Sequence, residues 1–424
     1  MTKKQQTTRP FQISTRWTKP AVAIGDGETH LVVSIATPAI KQATRRPVDV
    51  AFVIDRSGSM NGAPLELAKR GVIEALELLN PKDGFAVVAY DDQPRDLASF
   101  TLATTEAKVR ATRNLREMNS GGSTHLFAGW WSGCQHLLQT TAAFGRIGKR
   151  VQRTILLTDG LANVGETDPV RITSRVGAMR RDGIVTSTLG LGAGIDDLLL
   201  SGMAEAGGGS FAFTSAAADL PAFFARELGE ALMVAVSNVT LTLTLPKGLR
   251  ARLLNPFPVE RHGKVLTIAL GDLTAGRTLD LVFEVTARAK ASGLIAAPTV
   301  DIGWVTEDRQ AGTYPTVSAD PIMAMAEAEF LAMPFDDEAN TRAAGMISAH
   351  ARQEAMRNFR DGHADLARLN LRMARDRIQH SPAAMHLNAE IDELMQMDQT
   401  SPTFELDRRQ AMSNAHREGR GRTR

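Results

Sequence analysis

Five oxygen-bearing side chains sit where strands end or glycines crowd. Asp55, Ser57 and Ser59 occupy alternate positions in "VIDRSGSMNG"; Thr124 lies in "GGSTHL", and Asp159 in "LLTDGLAN". All five are hard oxygen donors. Mg²⁺ asks for about six such donors at about 2.1 Å and keeps waters readily. The three hydroxyls can reach a cation directly, while Asp55 and Asp159 bring balancing charge, directly or through water. Gly58, Gly121 and Gly122 let the loops turn tightly enough to aim the hydroxyls inward. Three neutral ligands leave a cation under-neutralised, so its sixth position suits a carboxylate from another molecule. Magnesium is the expected ion, with Mn²⁺ or Ca²⁺ as alternatives.

Elements must hold these groups. "VDVAFVID", "GFAVVAYDD", "RTILLTDG" and "IVTSTLGLG" are short, apolar, β-branched runs, the pattern of buried parallel strands. Between them lie helical faces such as Leu65, Ala68, Val72, Ala75, Leu76 and Leu79 in "PLELAKRGVIEALELL". Alternating strands and helices predict a doubly wound, mostly parallel sheet over residues 47–236, with ligands beyond the carboxyl ends of its strands. From Ser237 the texture alternates with period two, as in "VSNVTLTLTLP" and "LDLVFEVTARAK", which predicts antiparallel sheet over 237–318. "FQISTRW" and "THLVVSIATP" near the start share it, so residues 1–46 are expected to complete a β-sandwich into which the α/β unit is inserted. Residues 319–400 read as helices, including a hairpin like one tetratricopeptide unit. Residues 401–424 read as a solvated basic tail, because "AHREGRGRTR" carries four arginines.

"DRSGSM", "GGST" and "LLTDGLAN", in that order, resemble the metal-ion-dependent adhesion site of von Willebrand factor type A domains. The resemblance spans about Val48 to Val236, and the flanking segments look like bacterial or inter-alpha-trypsin-inhibitor-like proteins carrying that domain. It implies an α/β Rossmann-like fold. It further implies that Ser57, Ser59 and Thr124 coordinate directly and that Asp55 and Asp159 act largely through water.

Around this set, Arg56, His125 and Asp92 are candidates for meeting the partner. Each also has a plainer reading: Arg56 in water, His125 satisfied by a neighbour, Asp91 and Asp92 turning the chain. Asn163 is expected to brace its loop through backbone bonds. Of Trp130 and Trp131, adjacent on a helix, only one can face the core fully. Cys134 reads as a small buried residue.

The 424 residues carry 49 Lys+Arg against 47 Asp+Glu, so no general attraction to nucleic acid or membrane is implied. No apolar run approaches the roughly 20 residues of a membrane span, and the N-terminus has no apolar secretion core, so a cytoplasmic location is expected and a channel role is not. Dinucleotide, Walker, zinc-protease and nucleophile-elbow motifs are missing, and the site has no evident general base. The expected function is therefore non-enzymatic: a metal-dependent adaptor for an acidic protein partner. Alternatives are an assembly subunit for a MoxR- or chelatase-type AAA+ ATPase, and, behind it, a metal-dependent hydrolase.

Overall fold

The computed structural model describes residues 11–39, 46–143, 150–159, 161–192, 194–214, 219–305, 311–401 and 403–421. The chain opens with β1 (Gln12–Trp17), β2 (Ala21–Ala23) and β3 (Gly25–Ala36). An alternating stretch follows: β4 (Val48–Asp55), a 3-10 turn (Gly58–Met60), α1 (Ala63–Leu78), β5 (Gly84–Tyr90), β6 (Pro94–Leu102), α2 (Thr105–Glu117) and α3 (Leu126–Ala143). It continues through β7 (Val151–Thr158), α4 (Pro169–Arg181), β8 (Ile184–Leu191), α5 (Asp197–Gly207), β9 (Gly208–Thr214) and α6 (Leu220–Leu232).

These strands form one sheet in the order β6-β5-β4-β7-β8-β9, parallel except for β6. β4 shows why a continuous apolar run suits a central strand. Val48, Val50, Phe52 and Ile54 pack with α1 and α6 on one side, and Ala51 and Val53 with α3 on the other. Gly133 lets α3 come that close: a Cβ there would lie 2.5 Å from Val53. β6 has no counterpart among the strands expected from sequence. Arg95, Asp96, Ser99 and Thr101 interrupt its apolar residues and none of the nine is fully buried, it begins at a proline, and it pairs on one side only, as an edge strand can.

The chain then returns to antiparallel sheet: β10 (Val234–Thr244), β11 (Leu249–Leu253), β12 (Val259–His262), β13 (Val265–Thr274), β14 (Thr278–Ala289), β15 (Gly293–Ile295), β16 (Thr299–Val305), β17 (Ala311–Ser318) and β18 (Ile322–Met325). Sheets β1-β3-β14-β11 and β12-β13-β10-β16-β17 enclose a core of alternating residues such as Leu31, Val33, Leu241, Leu243, Leu281 and Phe283. β3 pairs with β14 from Ala36↔Thr278 to Gly25↔Ala289, so strands on either side of the α/β stretch share one ladder. A small sheet joins β15, β18 and β2.

Helices α7 (Glu327–Ala332), α8 (Asp337–Arg360), α9 (Ala364–Ile378), α10 (Ala384–Met395) and α11 (Phe404–Gly419) follow. Met346, Met356, Phe359 and Met412 join the same buried cluster as Val53, Leu156 and Met203, so helices and α/β unit share a core.

The expectation of a solvated tail over 401–424 is corrected here for the described residues. Phe404, Arg408, Met412, Ala415 and Gly419 form a buried helical stripe against α8 and β9. Its basic members are paired rather than solvated. Arg408 binds Asp197 of α5, and Arg420 donates to the Pro256 carbonyl at 3.1 Å and lies over the Phe257 ring.

Candidate functional site

β4 delivers Asp55 at its carboxyl end, fully buried beside its register partner Tyr90 on β5. One Asp55 oxygen accepts the Ser57 backbone N–H at 2.8 Å; the other accepts the Thr158 hydroxyl at 2.6 Å and the Tyr90 hydroxyl at 3.3 Å. The 3-10 turn brings Ser59 Oγ to 3.2 Å from Ser57 Oγ, and Ser59 donates to Asp159 Oδ1 at 2.8 Å. Asp55, Ser57, Ser59 and Asp159, drawn from two strand ends, thus form one connected set.

Thr124 reaches the site through its backbone. Gly58 N–H donates to the Gly122 carbonyl at 3.1 Å, and Gly121 N–H to the Arg56 carbonyl at 2.8 Å. Thr124 N–H donates to Asn163 Oδ1 at 2.8 Å, and Asn163 N–H returns to the Thr124 carbonyl at 3.2 Å, the bracing expected of Asn163. Thr124 is buried, and among the described residues its hydroxyl makes no hydrogen bond to the other four side chains. Gly122 has φ +68°, and a Cβ there would fall 2.8 Å from the Asp92 carboxylate.

The site holds two acidic groups and no basic one. Burial pushes the Asp55 carboxyl above its ordinary range. Burial does the same to Asp159, and the Asp55 charge adds to it. Hydroxyl donors offset part of this cost. Among the described residues neither carboxylate has an ion-pair partner. Burying two charges without a counter-ion is expensive.

The rim residues considered for partner contact are engaged within the chain. Arg56 pairs with Asp91 and donates to the Asn119 carbonyl. Asp92 accepts the Ser123 N–H at 2.9 Å. His125 Nδ1 accepts the Ala128 N–H at 3.2 Å in the first turn of α3. Arg56 is thus held by Asp91 rather than by water, while His125 bonds a neighbour in its own helix. Trp130 is fully buried and donates to Thr186 Oγ1 at 3.1 Å, while Trp131 is half-buried. Cys134 is buried, its thiol pushed up to about 12 by desolvation.

Tyr90 and Thr158 were missed by sequence reasoning. Thr158 directly precedes Asp159, and Tyr90 ends a strand expected beside β4. Both signals were present, but each residue also reads as ordinary strand filling.

A second cluster with metal-ligand chemistry, Glu28, His30 and Glu284, lies where β3 and β14 meet α9. A guanidinium already takes the cation's place: Arg377 binds Glu28 and Glu284 and lies 3.3 Å from His30 Nε2, and Arg252 adds a bond to Glu284. Burial, then the Arg377 charge, push the His30 imidazole down to about 4. No helix among the described residues is long and apolar enough to cross a membrane.

Residues 49–226 match the sequence model of the von Willebrand factor type A domain. Protein YfbK of Escherichia coli is 24% identical over 68% of this chain and 50% of its own length. Inter-alpha-trypsin inhibitor heavy chain H1 of Mesocricetus auratus is 28% identical over 37% of this chain and 17% of its own. The chain thus spans about half the length of the bacterial relative and far less of the mammalian one. A von Willebrand factor type A protein from Catenulispora acidiphila superimposes with a TM-score of 0.70 over 98% of both chains at 17% identity. A paralogue of ArnB from Sulfolobus acidocaldarius gives 0.59 over 97% of this chain and 99% of its own at 13% identity. The shared fold therefore takes in the strands and helices flanking the α/β unit.

Proposed function

We propose that the von Willebrand factor type A domain formed by residues 49–226 is a metal-dependent protein-interaction module, holding a partner's Asp or Glu through a divalent cation. One observation carries this reading: two buried carboxylates, Asp55 and Asp159, are joined through Ser57 and Ser59, and no Lys or Arg among the described residues neutralises them. A hard divalent cation fits the charge and the all-oxygen donor set. Ser57, Ser59 and Thr124 would hold it, with Asp55 and Asp159 supplying charge. When bound, it offers a coordination position to an external carboxylate. Thr158 and Tyr90 orient Asp55, and Asn163 fixes Thr124. Arg56, Asp92 and His125 hold the surrounding loops, leaving Ser59 exposed at the rim. Nothing in this set supplies a general base, so the module binds rather than turns over.

The purified chain is immobilised and exposed to extract from its own source in Mg²⁺, in EDTA, and as Asp55→Ala. The reading predicts bound proteins that leave with EDTA and are absent from the variant, whose circular dichroism matches the parent. Retention of the same proteins by Asp55→Ala sinks it.

A further inference from the structure

Helix α9 has two apolar faces and only one is covered. Ala367, Leu371, Ala374 and Ile378 are buried, with α8 and α10 as the neighbouring helices. Leu366, Leu369 and Met373 lie elsewhere on the helix, 46%, 45% and 55% exposed, and Met385 at the start of α10 is 88% exposed. Steps of three and four residues put the first three on one ridge. An exposed apolar ridge of this kind marks a contact surface.

The charges beside the ridge identify what covers it. Residues seven apart on a helix face the same way to within about 20°. Leu366 and Met373 therefore share one edge of the ridge, Asp365 and Arg372 the other, with Leu369 between them. Arg375 and Arg377 on the same helix are paired, with Asp392 and with Glu28 and Glu284. Asp365 and Arg372, both exposed, have no ion-pair partner among the described residues. In an antiparallel helix pair about a two-fold axis, like edges face each other with their ends exchanged. An axis at Leu369 sets Leu369 against its own mate and Leu366 against Met373 of the second copy. It also sets Asp365 beside Arg372 of the second copy, and each of these contacts between unlike residues occurs twice. A parallel pairing would make unlike edges meet, setting Asp365 and Arg372 against Leu366 and Met373 of the second copy and leaving both charges unpaired.

We infer that this ridge is the self-association surface of the chain, packing antiparallel on the α9 of a second copy. One helix ridge falls short of the roughly 1,600 Å² of a standard interface. The dimer is accordingly weak, with Kd on the order of 10–100 µM.

Sedimentation velocity over about 5–300 µM brackets that range. The parent chain is expected to shift from monomer to dimer as concentration rises. Leu369→Asp, which sets two carboxylates together at the axis, is expected to stay monomeric. Asp365→Arg and Arg372→Asp each turn two ion pairs into two repulsions and are expected to weaken the dimer about tenfold. The double variant Asp365→Arg/Arg372→Asp restores both pairs with reversed sign and is expected to recover the parent Kd. These side chains are exposed, so folding is retained, checked by circular dichroism. A parent chain monomeric throughout, a Leu369→Asp dimer of unchanged strength, or a double variant no better than either single overturns the inference.

Discussion

Removing Arg408 is expected to release the C-terminal helix. Arg408 and Asp197 are 2% and 1% exposed, and their bonds measure 2.7 and 3.3 Å. Burial works against the arginine's charge, but Asp197 and Glu405 together hold its pKa above the usual value. Breaking a buried pair from one side leaves an uncompensated charge and costs about 3–5 kcal/mol. The two sides are unequal. After Asp197→Asn, Arg408 keeps Glu405 at 2.9 Å. After Arg408→Met, Asp197 keeps the Arg409 charge nearby and its place in the first turn of α5, whose N-terminus is worth about 0.3–1 kcal/mol to an acid, but has no hydrogen-bonded cation among the described residues. Arg408→Met should therefore be the more damaging. The assay is native-state hydrogen exchange across α11, which reads local opening. At about 1.4 kcal/mol per tenfold, the loss speeds exchange there by roughly two to three orders of magnitude. Arg408→Met/Asp197→Leu, which buries two apolar side chains instead, should recover most of the protection. Unchanged exchange in α11 of Arg408→Met would refute the argument that this pair docks the helix.

The His30 imidazole binds a proton near pH 6.5 when unfolded and only near 4 when folded. Between those values the unfolded state holds more protons, so stability falls as pH drops, by up to about 3 kcal/mol at pH 4 from this group. Urea midpoints from pH 7 to 4 should fall less steeply for His30→Gln than for the parent, and parallel curves would count against it. At the site, Thr158→Val removes the 2.6 Å bond to Asp55 and Tyr90→Phe the 3.3 Å one. Such supporting bonds typically carry about 10–100-fold in metal affinity. Calorimetric titration with Mg²⁺ should show the larger loss for Thr158→Val; equal affinities in both variants and the parent would remove the supporting role.

The α/β fold was legible because its central strands are unbroken apolar runs punctuated by Asp, Gly and Ser. Those same turns announced Asp55, Ser57, Ser59 and Asp159, which the structure joins by hydrogen bonds. Thr124 was legible from its glycines, and its link to the site is backbone to backbone. Elements whose polar residues interrupt the apolar pattern were not legible. β6 is an edge strand whose apolar run is broken by Arg95, Asp96, Ser99 and Thr101. α11 looks solvated because Arg408 fills a position in its buried stripe where periodicity seeks an apolar residue, and Asp197, 211 positions away, makes that placement tolerable. Arg56, Asp92 and His125 looked free for a partner because neighbours in sequence do not reveal Asp91, Ser123 N–H and Ala128 N–H as their present contacts.

The pair Asp55 and Asp159, with the hydroxyls beside it, is proposed to take up one divalent cation. Isothermal titration of the chelator-treated chain with MgCl₂ tests it most directly, alongside Ser57→Ala/Ser59→Ala, which retains both carboxylates but loses the bridging hydroxyls. Saturable heat with a stoichiometry of one is expected for the parent and none for the variant. No saturable heat from the parent with Mg²⁺, Mn²⁺ or Ca²⁺, or the same isotherm from the variant, would contradict it.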